Sequence, residues 1–356
     1  MKKILFYLSA IAALVLTSCS DESLPIDKNT PQEAKTLLIL NEGGFNQNNS
    51  TLFKYDLSTG EYKIDYFNSV NQRGLGDVGN DMILYGTKLY IVVNVSGTVE
   101  VIDSSTGKSI KQIEMKNDGD TSKQPRQIAS YNGKVYVTSY DDTVTRIDTA
   151  SLNIDATIQV GLDPDGIVAN NGKLYVANSG GLNYMGGYNN TMSIVDITSF
   201  EVIDEIEVGV NPTNLDIDDS GNVYIASLGN YYDVPALFQK YNPITETVTT
   251  IEEITNPGKF LIHDNKAYII QGSYGTPYSV LVYDCDNEEV TTNNFITDGT
   301  QIELIHSISV DKKTGDIFIM ESDFSTPGSV YCFDKDGKLK YSIDSIGLNP
   351  NSVVVI

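Results

Sequence analysis

Lys88-Leu89-Tyr90-Ile91-Val92 decides the fold, because its frame returns down the chain. It comes back as Lys134-Val135-Tyr136-Val137, Lys173-Leu174-Tyr175-Val176-Ala177, Asn222-Val223-Tyr224-Ile225-Ala226 and Lys266-Ala267-Tyr268-Ile269-Ile270. Asp316-Ile317-Phe318-Ile319-Met320 and Lys35-Thr36-Leu37-Leu38-Ile39-Leu40 keep the frame, with Phe318 and Leu37 in the tyrosine place. Seven copies of one apolar strand, each entered from a turn, mark a repeat architecture.

A second marker lies just beyond each copy. An alternating strand ends in Asp or Asn at a turn: Asp56, Asp103, Asp148, Asp196, Asn242, Asp284 and Asp334, spaced 42 to 50 residues apart. These side chains suit the spot because they accept from backbone N–H groups two residues on, as in Asp56-Leu57-Ser58-Thr59-Gly60. The first strand is apolar on both faces, as expected where neighbouring sheets cover both sides. The second alternates, as in Thr98-Val99-Glu100-Val101-Ile102-Asp103, and suits a position nearer a rim. After the first turns of the N-terminus no stretch carries a helical period. The expected fold is all-β: a single seven-bladed β-propeller of four-stranded antiparallel blades over residues 36–356.

The ends of this region predict how the ring closes. Asn349-Pro350-Asn351-Ser352 matches only the opening strand of a repeat, as in Asn211-Pro212-Thr213-Asn214, while the chain enters on a second strand near Thr36. The C-terminal strand is therefore expected to complete the first blade and remove an open edge.

Residues 1–18 read as a lipoprotein signal peptide: Lys2 and Lys3, an apolar run Ile4 to Leu16 too short for a bilayer span, then Leu16-Thr17-Ser18-Cys19. That ending resembles a bacterial lipobox, with Cys19 acylated and residues 19–35 a flexible tether. Ser20-Asp21-Glu22 resembles the surface-export signal of Bacteroidetes lipoproteins. The expected location is the outer membrane, lipid-anchored and exposed on the cell surface.

The formal net charge of −23 sets nucleic-acid binding aside. Cys285 and Cys332 read as buried free thiols, with a disulfide between them as the alternative. The two histidines, His263 and His306, fall on opposite faces, and no His/Cys cluster has metal-ligand spacing. The turn at Asp216-Ile217-Asp218-Asp219 offers a calcium alternative to ordinary turn chemistry.

With strands lettered A to D from the axis outward, A–B and C–D connections are short turns on one face. The B–C loops on the other face are long and carry aromatics among Gly and Asn, the makeup of an adaptable binding surface. They supply the candidate ligand-binding residues Phe45, Asn46, Tyr184, Met185, Tyr188, Tyr231, Tyr232, Tyr274 and Phe324. D–A connections bring Arg126, also a candidate, together with Arg73, Asp77, Asp163, Asp165 and His306. Asn46, Asn48, Asn183, Asn189 and Asn230 add side-chain amides to the same face.

The Lys-apolar-Tyr-apolar strands and Asp-Ser-Ser-Thr-Gly-type turns from Lys35 to Ile356 resemble the YncE-like, surface-layer-type seven-bladed propellers. The lipobox with its acidic follower narrows the resemblance to surface lipoproteins of Bacteroidetes, above all the cobalamin-binding (BtuG-type) family. That resemblance implies capture of cobalamin or another corrinoid and delivery to an outer-membrane TonB-dependent vitamin B12 transporter. The corrinoid would be a bound ligand and not a catalytic cofactor; no catalytic residue and no metal site is expected. The alternatives are a surface adhesin or protein-interaction propeller gripping a glycan or protein, and a lyase or hydrolase built on His306.

Overall fold

Strand Lys88–Val93 is buried from its second residue to its end, although half its side chains point to each face. Only a strand with a sheet on both sides can be so dry, and the arrangement of the molecule supplies those sheets. The computed structural model describes residues 36–272 and 277–356. Within them lie seven four-stranded antiparallel sheets. Their innermost strands are Pro350–Val355 in blade one, then Gly79–Tyr85, Pro125–Tyr131, Pro164–Asn170, Pro212–Ile217, Pro257–His263 and Ile305–Asp311 in blades two to seven. The protein is a seven-bladed β-propeller.

The repeated tyrosines fill the gaps between blades: Tyr90, Tyr136 and Tyr224 are completely buried, and Tyr175 and Tyr268 nearly so. Burying a side chain of this size stabilises by roughly 1.5–3 kcal/mol, and five of the seven blades carry one, with Leu37 and Phe318 in its place in the other two. Among the described residues there are seven hydrophobic clusters, one at each blade interface. The cluster of Leu37, Ile39 and Phe53 with Phe318, Met320 and Cys332 joins blade seven back to blade one.

Blade one closes as the sequence predicts. Thr36–Asn41 pairs with Thr51–Asp56 on one side and with the C-terminal strand on the other, Leu37 opposite Val355 and Ile39 opposite Val353. Thr36 and Ile356 exchange two backbone hydrogen bonds of 2.9 Å, so the last residue is tied to the first strand. The turn markers also behave as read. Asp56 accepts from Ser58 N at 2.8 Å and Thr59 N at 3.1 Å, and Asn242 does the same for Ile244 and Thr245.

Two elements depart from the expectation. Tyr66–Asn71 is a short α-helix, capped by Asp65, whose side chain accepts from Asn68 N. Its six residues are too few to show a helical period, and burial of Tyr66 and Phe67 under blade two holds it in place. Gly107, at φ 69°, is needed there: a Cβ would stand 2.5 Å from the Tyr66 ring. A small hairpin, Lys116–Asn117 with Thr121–Ser122, extends the connection into blade three.

Candidate functional site

The long-loop face is built by one backbone device used repeatedly. The residue before each inner strand is left-handed in six blades: Val78, Gln124, Asp163, Asn211, Asn256 and Asn349, with φ from 43° to 60°. This bend brings the chain from the rim to the axis. In five blades its carbonyl then accepts from the residue that follows the second strand. Glu42 N reaches Asn349 O at 2.9 Å, Asn94 N reaches Val78 O at 2.8 Å and Tyr140 N reaches Gln124 O at 3.1 Å. Ser179 N to Asp163 O at 3.2 Å and Leu228 N to Asn211 O at 2.9 Å repeat the contact. The D–A and B–C loops are thereby stitched together. Just after the bend the inner strands bulge, between Pro125 and Ile128, Pro164 and Ile167, and Pro257 and Phe260. Bulges re-aim side chains, and the residues inside them line the central cavity.

That cavity holds about 590 Å³. Its wall carries Asn80 and Asp81 from blade two, Arg126 and Gln127 from three, Asp165 from four, Thr213 and Asn214 from five, Lys259 from six, His306 and Ser307 from seven and Asn351 from one. Glu42, Tyr140, Tyr188 and Tyr231 enter from the B–C loops. The wall is amide- and hydroxyl-rich, and its charges are nearly balanced, unlike the chain as a whole.

Most of those charges are paired. Arg126 grips Asp165 with Nε–Oδ1 at 3.2 Å and Nη2–Oδ2 at 3.1 Å, and donates from Nη1 to Asn80 Oδ1 at 2.8 Å. Its guanidinium lies 4.6 Å from the Tyr140 ring centre, while Tyr140 Oη donates to Asp165 Oδ2 at 3.0 Å. Burial would lower the Arg126 pKa, but the Asp165 carboxylate holds it above the ordinary value. Burial, and then the Asp165 charge, push the Tyr140 phenol upward.

His306 Nε2 is buried and forms no hydrogen bond, although Glu42 Oε1 lies 3.4 Å away. Burial alone would raise the Glu42 pKa. Contact with His306 and the positive charges of Lys259 and Arg126 outweigh it and leave the carboxyl below its ordinary value. Asp81 goes the other way: burial pushes it up to about 6, although its carboxylate accepts from Met82 N at 2.8 Å and Ile128 N at 3.0 Å. Lys259 Nζ donates to the amide oxygen of Asn351.

Of the sequence-derived candidates, Arg126, Tyr188 and Tyr231 line the cavity, and His306 and Asp165 join them there. Phe45, Tyr184, Met185, Tyr232 and Phe324 stand on the surrounding loops at 70%, 65%, 88%, 93% and 63% exposure. Two edge-to-face contacts tie rim to wall: Tyr188 with Tyr231 at 6.0 Å, and Phe324 with His306 at 5.2 Å. Asn46 is exposed, and its backbone N–H donates to Asp77 Oδ1 at 3.1 Å. Tyr274 and Cys19 lie outside the described residues.

Some expected ligand groups are already engaged. Asn230 Oδ1 accepts from Tyr232 N, Asp233 N and Val234 N, shaping its own loop, and Asn183 Nδ2 donates to Gly187 O. Arg73 turns from the cavity to pair with Glu100 at 2.8 Å and lie over Phe67. Asp216 is taken up by Ile217 N and Ile262 N. Cys285 and Cys332 are free and buried. Among the described residues no group of three or more His, Cys, Asp or Glu is arranged to hold a metal ion.

The sequence reading missed Glu42, Asn80, Asp81, Gln127, Tyr140, Asn214, Lys259 and Asn351. Aligning inner strands on their leading proline would have shown four of these eight, Gln127, Asn214, Lys259 and Asn351. Positions one and two after Pro125, Pro164, Pro212, Pro257 and Pro350 are the ones that face the axis.

A family model described as Domain of unknown function (DUF5074) matches residues 35–347. No curated protein sequence matches the chain. Among solved structures, apo AztD from Citrobacter koseri is similar at a TM-score of 0.53 and 11% identity, over 91% of this chain and 98% of that one. Hydrazine synthase of Kuenenia stuttgartiensis is similar at 0.58 and 14% identity, over 72% of this chain and 77% of that one. At such identities the likeness speaks for the fold alone.

Proposed function

We propose that this chain, which belongs to the DUF5074 family, is a binding protein that captures a corrinoid such as cobalamin on its long-loop face. The observation that carries the reading is the apolar rim: Phe45, Tyr184, Met185, Tyr231, Tyr232 and Phe324 are all more than half exposed around one polar cavity. Scattered exposed apolar residues are ordinary, but a group of large ones gathered on the loops of the face that bears a cavity marks a recognition surface. A corrinoid is a broad disc with an apolar edge and many amide arms. It is too large for a cavity of about 590 Å³, so the disc would lie over the aromatics while amide arms reach Asn214 Nδ2 and Gln127 Oε1, the amide ends not used in bonds to Phe260, Asp165 and Thr213. The lipobox-like leader supports a lipid-anchored position on the outer membrane, from which the ligand would pass to a TonB-dependent transporter.

Calorimetry of the purified protein with cyanocobalamin tests this. Saturable heat at micromolar protein supports it; none overturns it. A second reading, an adhesin for glycans, draws on the hydroxyl- and amide-rich wall, where Thr213 and Asn214 Nδ2 could bond sugar hydroxyls. Retention of host glycoprotein without any small molecule would favour that reading.

A further inference from the structure

Sorting the cavity's charges by partner leaves one of them open. Asp165 is taken by Arg126, by Tyr140 and by Gln127 Nε2 at 3.2 Å. Glu42 faces His306, and Asp81 is spent on two backbone N–H groups. Arg126 is spent on Asp165 and Asn80. Lys259 alone has no carboxylate within ion-pair distance among the described residues. Its partner is the neutral Asn351, which is itself held by donation from its Nδ2 to Asn80 O. The side chain is exposed to the cavity and emerges from a bulged strand that points it at the axis. An ammonium has three donors in all, and only one of those on Lys259 is accounted for.

We infer that Lys259 anchors an anionic group, a phosphate ester or carboxylate, carried on a ligand whose apolar body rests on the aromatic rim. This rests on the long-loop face being the binding face. Two features of the molecule shape the preference. The net charge of −23 opposes free anions, so an anion gains entry only when attached to a body that the rim holds. Once inside, it meets the one cation of the wall that has no carboxylate within ion-pair distance among the described residues. Glu42 and Asp81 feel the Lys259 charge at longer range, and they limit how much anionic charge the cavity accepts. The site thus favours one charged arm on a largely neutral ligand.

Two ligand pairs test the anchor. Cyanocobalamin carries a phosphodiester that dicyanocobinamide lacks, and 4-methylumbelliferyl phosphate carries a phosphate that 4-methylumbelliferone lacks. Affinities are measured for the wild-type protein, Lys259→Gln and Lys259→Arg, with thermal melts to establish that the variants fold. The wild type is expected to favour the phosphate-bearing member, and Lys259→Gln to lose that preference by roughly tenfold or more. Lys259→Arg should keep it, and the phosphate-free members should bind all three proteins alike. The anchor is overturned if the wild type binds both members of a pair equally, if it binds none of the four, or if Lys259→Gln leaves the preference intact. Failure of both corrinoids with a preserved preference in the umbelliferyl pair sinks the corrinoid reading alone.

Discussion

Arg126 and Asp165 meet in a two-pronged ion pair that spans the interface between blades three and four at the cavity wall, with Asp165 almost wholly buried. Removing one partner strands the other charge in a poorly hydrated place. Arg126→Met should cost about 2–4 kcal/mol, and the double change Arg126→Met with Asp165→Leu should cost less than Arg126→Met alone. Urea unfolding of the single and double variants checks this. A double variant weaker than the single would show that the pair itself, and not the stranded charge, carries the stability.

The rim residues call for the opposite pattern. Tyr232 and Phe324 are exposed in the free protein, so Tyr232→Ala and Phe324→Ala should leave unfolding free energy within about 0.5 kcal/mol of wild type. If they grip the ligand, each should weaken cyanocobalamin binding by roughly tenfold. Calorimetry and urea titration on the same preparations separate the two effects.

Asp81 supplies a pH dependence with a definite sign. Its native pKa is pushed up to about 6 by burial, above an unfolded value of about 3.9. The folded protein therefore holds this proton more tightly than the unfolded chain. The contribution is greatest below the unfolded pKa and is lost as pH rises through about 6. In Asp81→Asn that slope is absent, although the amide keeps only one of the two accepted bonds. The difference in melting temperature between variant and wild type should thus shift in the variant's favour between pH 4 and pH 7. A difference independent of pH would refute the assignment.

Val78 is a β-branched residue in the left-handed region, at φ 60°. Such a conformation costs about 1–2 kcal/mol, whereas Asn tolerates it. The equivalent bends use Asn at Asn211, Asn256 and Asn349. Val78→Asn should raise unfolding free energy by about 1 kcal/mol, measured by urea titration, and an unchanged or lower value would show that Val78 packs more usefully than its backbone suggests.

The blades were legible because two requirements recur with one period. A strand between two sheets must be apolar on both faces, as Lys88–Val93 is, and a tight turn wants an Asx acceptor, as at Asp103. The cavity wall was not legible on the same terms. Arg126 was picked out only as a loop residue, and Gln127 beside it was missed: both sit on a strand whose polar residues face the axis, and in sequence this looks no different from facing solvent. What distinguishes them is the bulge after Pro125, a backbone feature that hydrophobic alternation does not encode. The loop asparagines misled for a related reason: Asn230 offers the same amide to its own backbone as to a ligand, and the loop takes it first. The helix at Tyr66–Asn71 is stabilised by what Phe67 packs against, far more than by its own six residues.

Pairing Leu37 with Val355 also sets an order of events during biosynthesis. The seam of the ring joins segments about three hundred residues apart, so the entropy of closing that long loop is met only once Val355 has been made. Blades two to seven can assemble as the chain emerges, while Thr36–Asn41 waits with one edge unpaired for the last strand to arrive. An exposed apolar edge of that kind invites pairing with other chains. The protein's most aggregation-prone interval should therefore be the time between the appearance of Leu37 and that of Val355, a window set by the speed of chain synthesis more than by the stability of the finished ring.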